Sequence, residues 1–268
     1  MGKVITIGQV KGGCGKTTVT AITAHILSEN HKVLCMDTDG QGNLTEMLTL
    51  RPIRDYRLDG IGGVLDAIKG VDTGTSPFDY IFELNTNLHL MPASELMTTV
   101  YEWLFTQYKG NRNYALKNMI DLVKDNYDYV LIDTPPELGY MLINCMAASD
   151  GIVAMYNAER FCHSSLLTYH ETISTFRQRN INNNLRLYGI LCTLLDARRS
   201  DAKDFLNMVR NDDNLGKYVF DDTISRKAAV GRLSYMGFDD NPELKEAIKQ
   251  YRPYVNQLLE RMANDFDC

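Results

Sequence analysis

A glycine-rich stretch near the start of the chain combines two lysines with two hydroxyl side chains. Residues 11–18 read Lys-Gly-Gly-Cys-Gly-Lys-Thr-Thr, between an apolar run at Val4–Ile7 and a segment at Val19–Leu27 that has the pattern of a helix. Glycines let backbone N–H groups point inward at an anion, and a helix beginning here favours negative charge at its N-terminus. Lys16 adds a positive charge, and Thr17 can offer its hydroxyl to Mg²⁺. The stretch therefore predicts a site for a nucleotide with Mg²⁺.

The loop departs from the ordinary phosphate-loop (P-loop) pattern, G-x-x-x-x-G-K-[ST], at its start. Val10 occupies the position of the first glycine, and Lys11 follows it. A chance glycine-rich turn is the alternative, but strand, loop, lysine, hydroxyl and helix follow one another in the order that a nucleotide site requires. We predict that eight residues contact the nucleotide: Lys11, Gly12, Gly13, Cys14, Gly15, Lys16, Thr17 and Thr18.

Two further apolar runs end in carboxylates. Lys32–Met36 leads into Asp37 and Asp39, and Tyr129–Ile132 leads into Asp133. Ligands of open α/β sheets bind beyond the carboxyl ends of the strands, so these side chains are expected to lie towards the phosphate site. An apolar strand that ends in aspartate is the Walker B arrangement, in which Asp133 holds Mg²⁺ directly or through water. A helix cap is the alternative role for Asp133.

The segments that must position these residues alternate between strands and helices. The remaining apolar runs predict strands at 88–91, 152–156 and 187–193 and helices at 64–69, 94–106, 114–126, 138–148 and 164–177. This alternation is typical of an α/β protein with a mainly parallel twisted sheet covered by helices on both faces. A chain of 268 residues fits one large domain, which we place at 1–268.

The C-terminal segment, at about 241–264, has apolar residues at helical spacing. It begins with Asn-Pro, a cap followed by proline in the first turn, and Pro253 is expected to kink or divide the helix. Residues 239–268 include seven acidic and four basic side chains. A helix that lies on a membrane surface would carry lysine and arginine on its polar face. We therefore expect this segment to pack on the domain.

Composition narrows the classes of protein further. The apolar content of 44% is ordinary for a globular chain, and no apolar run approaches the ~18 residues of a membrane span. The first strand begins almost at once, so we expect no signal peptide and a cytoplasmic protein. The net charge of −6 means that any contact with nucleic acid must come from a local basic patch.

Taken together, these motifs resemble those of the ParA/MinD family of ATPases, which have a deviant Walker A loop. Lys11–Thr18 is similar to the family's loop with its signature lysine, and Leu131–Pro136 is similar to its Walker B strand. Asp37–Thr45, which reads DTDGQGNLT, looks like the ParA-type switch segment D-x-D-P-Q-G-N, with Gly40 in place of the usual proline. The resemblance implies a P-loop NTPase fold of the SIMIBI type. It is weakest at 51–87 and beyond residue 225.

The resemblance implies an Mg²⁺-dependent ATPase, slow without its partner, that forms a homodimer with ATP sandwiched between the protomers. Lys11 of each protomer would reach the phosphates bound by the other, while Lys16 serves its own nucleotide. Thr17, Asp133 and Asp37 would hold the ion or its water shell, and Asp39 would position the attacking water. The opposite assignment, with Asp37 positioning the water, stays open.

The resemblance also implies non-specific DNA binding by basic residues in the C-terminal part. Two clusters are candidates for this surface: Arg198, Arg199 and Lys203, and then Arg226, Lys227 and Arg232. Solvated surface charges are the alternative reading. Ala229 stands where the family has a second arginine.

The function that follows is the partitioning of DNA, either a plasmid or mobile element or a chromosome. The protein would be nucleoid-associated in the ATP state and released when a ParB-type centromere-binding protein stimulates hydrolysis. Positioning of a protein cargo is one alternative. A MinD-like regulator that cycles on a membrane is another, although the acidic C-terminal segment and the Gln-Gly-Asn of the switch segment count against it.

Overall fold

Seven strands form one sheet in the part of the chain that the structure describes. The computed structural model describes residues 2–9, 12–137, 139–159, 162–193, 200–239, 241–264 and 266. The strands are β1 (Lys3–Gly8), β2 (Val33–Asp37), β3 (Phe82–Glu83), β4 (Leu88–Met91), β5 (Tyr129–Asp133), β6 (Gly151–Asn157) and β7 (Arg186–Thr193). Their order across the sheet is β3-β4-β2-β5-β1-β6-β7, and only the β3–β4 pair is antiparallel. The predicted mainly parallel sheet is confirmed.

Helices connect the strands and cover both faces of the sheet. In chain order they are α1 (Lys16–Leu27), α2 (Asn43–Thr49), α3 (Ile53–Leu58), α4 (Val64–Thr73), α5 (Val100–Thr106), α6 (Ala115–Ile120), α7 (Tyr140–Ala148), α8 (Cys162–Gln178), α9 (Ser200–Arg210), α10 (Ala228–Gly231), α11 (Leu233–Met236), α12 (Leu244–Ile248) and α13 (Arg252–Ala263). Among the described residues, none of these helices has both the length and the apolar character needed to cross a bilayer.

Alternate residues of the central strands point into two separate apolar cores. Ile5 of β1 and Leu131 of β5 pack with apolar residues of α1 and α13 on one face. Val4 and Val130, the neighbours of these residues, pack with α4, α5, α6 and α7 on the other face. Because successive strand residues point to opposite faces, a strand covered on both sides must be apolar throughout. The uninterrupted apolar runs in the sequence reflect this burial.

The structure differs from the predicted elements where helices are short. The segment predicted as a helix at 94–106 begins with a 3₁₀ turn at Glu95–Thr99 and becomes α-helical only in α5. The segment predicted as a helix at 114–126 contains the six residues of α6 between 3₁₀ turns. Helices α2, α3, α9, α10 and α11 and strand β3 were not predicted. Elements of two to seven residues, such as α2, α3 and β3, show too few repeats of a period to be recognised.

The C-terminal segment packs against α1 and the apolar core beside it. Pro253 lies in the first turn of α13, and a 3₁₀ turn at Lys249–Tyr251 separates α13 from α12, so the helix is divided next to this proline. Tyr254 and Leu258 of α13 are fully buried in the core that also contains α1. The C-terminal helices are therefore part of the structure that supports α1.

Candidate nucleotide-binding site

The loop after β1 has the backbone geometry of an anion site where it enters α1. Gly13 has φ 74° and Gly15 has φ 84°, in the left-handed region that residues with a side chain rarely adopt. Gly15 is also the N-cap of α1, and no side chain caps this helix end. The first N–H groups of a helix have no partner within the helix. An anion at this position would receive hydrogen bonds from them and be stabilised by the helix dipole.

Thr17 and Asp133 meet at the start of α1. The Thr17 hydroxyl donates a hydrogen bond to Oδ2 of Asp133 at 2.7 Å, and the Thr20 hydroxyl lies 3.3 Å from Oδ1 of the same carboxylate. Lys16 is 7% exposed and is the first residue of the helix. The predicted hydroxyl and the predicted carboxylate are thus side by side, close enough to share one ion directly or through water.

Asp133 and Asp37 are paired across neighbouring strands. They are register partners at the ends of β5 and β2, and both side chains are fully buried. Burial raises the pKa of the Asp133 carboxyl, and the Asp37 charge raises this pKa further, while the Thr17 hydroxyl and the Lys16 charge lower it. Burial also raises the pKa of Asp37. Two buried carboxyls that oppose each other's ionisation form a site that a divalent cation would stabilise.

Asp37 also organises the switch segment, Asp37–Thr45. Its Oδ2 accepts hydrogen bonds from the backbone N–H and the hydroxyl of Thr45, both at 2.8 Å, and its Oδ1 accepts one from the N–H of Asp39 at 3.2 Å. The Thr45 hydroxyl accepts a further hydrogen bond from the N–H of Ala93 at 2.9 Å. Through these contacts the buried carboxylate connects the end of β2 to α2 and to the residues after β4.

Asp39 lies at the border of an open cavity of about 390 Å³, which we call the switch cavity. Its lining residues are Thr38, Asp39, Gly40, Gln41, Met97, Thr98, Val100, Tyr101, Pro135, Pro136, Glu137 and Met141. Oδ1 of Asp39 accepts a hydrogen bond from the N–H of Gln41 at 3.0 Å. A Cβ atom added to Gly40 would lie 3.1 Å from Cβ of Met97, so the glycine at this position admits a close approach of Met97.

A second cavity, of about 300 Å³, opens beside the first turn of α1, and we call it the α1 cavity. On the helix side it is lined by Gly15, Thr18 and Val19, and across from them lies the segment 224–231. Thr193 at the end of β7 and Tyr251 of the C-terminal segment complete the lining. The volume is at the lower end of the range for small-molecule sites, roughly 300–1,000 Å³. The cavity has the position and size to accept the part of a nucleotide that extends from the phosphates.

The candidate DNA-binding residues fall into different surroundings. Arg226 and Lys227 line the α1 cavity, and Arg232 is ion-paired with Glu243 on the surface. Lys203 is an exposed residue of α9. Arg198 and Arg199 lie outside the described residues, as does Lys11 of the loop. The assignment of these residues to a DNA surface, and of Lys11 to a partner's nucleotide, therefore stays a prediction.

Two threonines of the site were missed by sequence reasoning. Thr45 is fully buried and binds Asp37 through two of its groups, and Thr20 contacts Asp133. Thr20 lies four residues after Lys16, which is one helical turn further along the same face of α1. This spacing could have been recognised in the sequence. For Thr45 the signal in the sequence is its place two residues after the Gln-Gly-Asn of the switch segment.

The residues present fit a nucleotide with Mg²⁺. The uncapped helix end and Lys16 are suited to phosphate oxygens, and the Thr17 hydroxyl with the Asp133 carboxylate is the hard oxygen donor set that Mg²⁺ prefers. When bound, Mg²⁺ neutralises charge that develops on phosphate oxygens during phosphoryl transfer. The fold and the site together define a P-loop nucleotide-binding protein with a mainly parallel sheet.

Comparison with known proteins assigns the family. Residues 2–187 match the AAA domain family. The sporulation initiation inhibitor protein Soj of Bacillus subtilis is 32% identical over 213 residues, which cover 74% of this chain and 75% of Soj. The chromosome partitioning protein ParA of Myxococcus xanthus is 29% identical over 238 residues, which cover 88% of this chain and 80% of ParA.

Solved structures agree with this assignment. A cobyrinic acid a,c-diamide synthase of Mycobacterium smegmatis with bound ADP and magnesium has a TM-score of 0.80 and 26% identity, and the match covers 100% of this chain and 98% of the other. The same protein with an ATP analogue and magnesium has a TM-score of 0.79. A plasmid partition protein of Borrelia burgdorferi has a TM-score of 0.73 and 25% identity, over 97% of this chain and 99% of the other.

The chain belongs to the AAA domain family and, within it, to the Soj/ParA-type partition ATPases. Its cofactors are ATP and Mg²⁺, in agreement with the nucleotides and magnesium in the similar structures. The predicted resemblance to the ParA/MinD family is confirmed.

Proposed function

We propose that this protein is an ATP-driven switch that partitions DNA. In the ATP state it forms a homodimer that binds DNA without regard to sequence, and ATP hydrolysis, stimulated by a ParB-type partner, releases it. The observation that carries the proposal is the hydrogen bonding of Asp37, because it joins the nucleotide-binding side of the sheet to the switch segment. A change at the phosphates can therefore reach the surface beside the switch cavity through one buried side chain.

The residues of the loop have separate parts in this proposal. Lys16 and the N–H groups at the start of α1 bind the phosphates of the protomer's own nucleotide, and Thr17 and Asp133 hold Mg²⁺. Lys11 reaches the phosphates bound by the partner. In a two-fold symmetric dimer each loop faces its copy, so one lysine from each protomer can serve the other's site.

Asp39 is our candidate for positioning the attacking water. It belongs to the switch segment and lines the switch cavity next to Pro135 and Pro136, which follow the Asp133 strand. Asp37 is fully buried and its two oxygens already accept three hydrogen bonds from the chain. This arrangement favours Asp37 as a residue that supports the Mg²⁺ site and Asp39, which lines the open switch cavity, as the residue that positions the water.

The proposed DNA surface is formed by the two basic clusters, of which Lys203, Arg226, Lys227 and Arg232 lie among the described residues. Arg226 and Lys227 lie beside the first turn of α1. A nucleotide in the α1 cavity would change the surroundings of these two side chains. This proximity supports a DNA affinity that depends on the nucleotide state.

The proposal is tested by measuring DNA binding with ATP, with ADP and without nucleotide, across a salt series and on unrelated duplexes. We expect binding with ATP alone, indifferent to sequence, with a log–log salt slope of about −0.9 for each phosphate contact. The absence of DNA binding in every nucleotide state would refute the proposed DNA function. Vesicles of anionic lipid and candidate protein cargo would then be tested as the surface that the ATP state binds.

A further inference from the structure

The segment opposite α1 in the α1 cavity, residues 224–228, is held at its two ends by contacts with other elements. At its start, the N–H of Ile224 donates a hydrogen bond to the carbonyl of Cys192 in β7 at 2.8 Å. Just beyond its end, Nδ2 of Asn241 donates to the carbonyl of Ala229 at 2.7 Å. Arg226, Lys227 and Ala228 between these points are exposed. The course of the segment between these two points therefore also depends on the contacts of the residues that lie between them.

Gln250 makes a two-point contact with Ser225, the second residue of this segment. Its Oε1 accepts a hydrogen bond from the N–H of Ser225 at 3.0 Å, and its Nε2 donates to the carbonyl of Ser225 at 3.2 Å. The two hydrogen bonds restrict both the position and the orientation of the Ser225 backbone, which one bond would not do. Ser225 is followed directly by Arg226 and Lys227, which line the cavity. The direction in which these two side chains leave the backbone thus depends on Gln250.

The 3₁₀ turn that carries Gln250 is itself fixed relative to α1. Tyr251, the next residue, is 3% exposed and lines the α1 cavity. The Arg252 guanidinium then donates two hydrogen bonds to the Glu29 carboxylate, just beyond the C-terminal end of α1, at 2.8 and 2.5 Å. The turn at 249–251 therefore connects the helix on one side of the cavity to the segment on the other side.

We propose that Gln250 is a positioning residue for nucleotide binding, which keeps the 224–228 segment at the separation from α1 that the nucleoside part of the nucleotide requires. The proposal rests on the proposed function, because it assumes that the nucleoside lies in the α1 cavity while the phosphates lie on the loop. Gln250 acts through Ser225 and makes no contact with the phosphates. Its removal is expected to weaken the binding of a nucleotide and to leave the binding of phosphate groups alone unchanged.

The chain offers a matched control in Gln257. This residue, also half-buried, makes the same kind of two-point contact with Asp221: its Oε1 accepts from the N–H and its Nε2 donates to the carboxylate, both at 3.1 Å. Asp221 does not line the α1 cavity. Gln250→Ala and Gln257→Ala therefore remove similar hydrogen bonds from the same C-terminal segment, but only the first affects a residue that lines the cavity.

The test is calorimetric titration of the full chain and of both variants with Mg²⁺-ATP and with Mg²⁺-tripolyphosphate, together with thermal unfolding. We expect Gln250→Ala to weaken ATP binding about five- to tenfold, the equivalent of one hydrogen bond, and to change tripolyphosphate binding less than about twofold. Gln257→Ala should leave both affinities unchanged. Gln250→Glu, which keeps the acceptor for the Ser225 N–H but loses the donor, should lie between the wild type and Gln250→Ala.

Three results would overturn the proposal. The first is ATP affinity in Gln250→Ala equal to that in Gln257→Ala. The second is a parallel loss of tripolyphosphate affinity, which would show a general structural effect. If Gln250→Ala does not fold, wild-type ATP affinity in Gln250→Glu would be the third. A wild-type chain that binds tripolyphosphate but not ATP would refute the nucleoside site, and one that binds neither would refute the proposed function itself.

Discussion

Replacing Thr45 by valine tests whether the Asp37 contacts stabilise the switch segment. Valine has nearly the shape of threonine but lacks the hydroxyl, which donates to Asp37 at 2.8 Å and accepts from the N–H of Ala93 at 2.9 Å. A hydrogen bond contributes about 0.5–1.5 kcal/mol between neutral groups and about 1.5–3 kcal/mol to a charged group, and a buried N–H left without a partner costs about 1–3 kcal/mol. Because Thr45 is fully buried, water cannot replace the hydroxyl.

We expect Thr45→Val to lower the free energy of unfolding by about 2–5 kcal/mol, a large part of the roughly 5–15 kcal/mol that stabilises a typical domain. The assay is urea unfolding without nucleotide, followed by the fluorescence of Trp103, the single tryptophan of the chain. Thr45→Ser is the control, because it keeps the hydroxyl and removes one methyl group, at a cost of about 1 kcal/mol. Equal stability of the valine and serine variants would refute the role of the hydroxyl.

Three predictions concern the nucleotide. Lys16→Ala should weaken ATP binding at least about tenfold, because a charge-assisted contact of roughly 1.5–3 kcal/mol is lost; unchanged affinity in calorimetric titration would refute the assignment of the phosphate loop. Lys11→Ala should bind ATP as a monomer but fail to dimerise with it, and an ATP-dependent dimer of this variant in analytical ultracentrifugation would contradict a lysine shared between protomers. Asp39→Ala should dimerise with ATP and hydrolyse it at least about tenfold more slowly, as expected on loss of a residue that orients the nucleophile. Normal phosphate release by this variant would transfer the water-positioning role to Asp37.

Much of the sheet could be predicted because its central strands are short, continuous apolar runs. The register of these strands could not be predicted, since each run is apolar throughout and would pack equally well after a shift along its neighbour. The pairing of Asp37 with Asp133 depends on that register. Their positions at strand ends indicated that both carboxylates lie at the same edge of the sheet. Only the structure showed that they are direct neighbours.

The hydrogen bonds of the site come from residues far apart in the chain. Thr17 and Asp133 are separated by 116 positions, and Ser225 and Gln250 by 25. Gln250 belongs to no motif with a recognised spacing, and Thr45 ends the switch segment but lies outside its D-x-D-P-Q-G-N pattern. The sequence therefore did not indicate which contacts either residue makes. The two basic residues at 226 and 227 illustrate the same limit, because their charge was evident from the sequence but their place beside α1 was not.

The sequence by itself determined the phosphate loop, the aspartates at the strand ends, the α/β class and the family. Each of these features is specified by residues that are neighbours in the chain. Left-handed glycines, a helix start and an apolar strand are properties of a few neighbouring residues. Only the tertiary structure decided which carboxylate accepts hydrogen bonds from the rest of the chain, which residues line the α1 cavity and which residues support the site. These properties depend on strand register and on the packing of α12 and α13 against α1, and both arise from contacts that form only when distant parts of the chain come together.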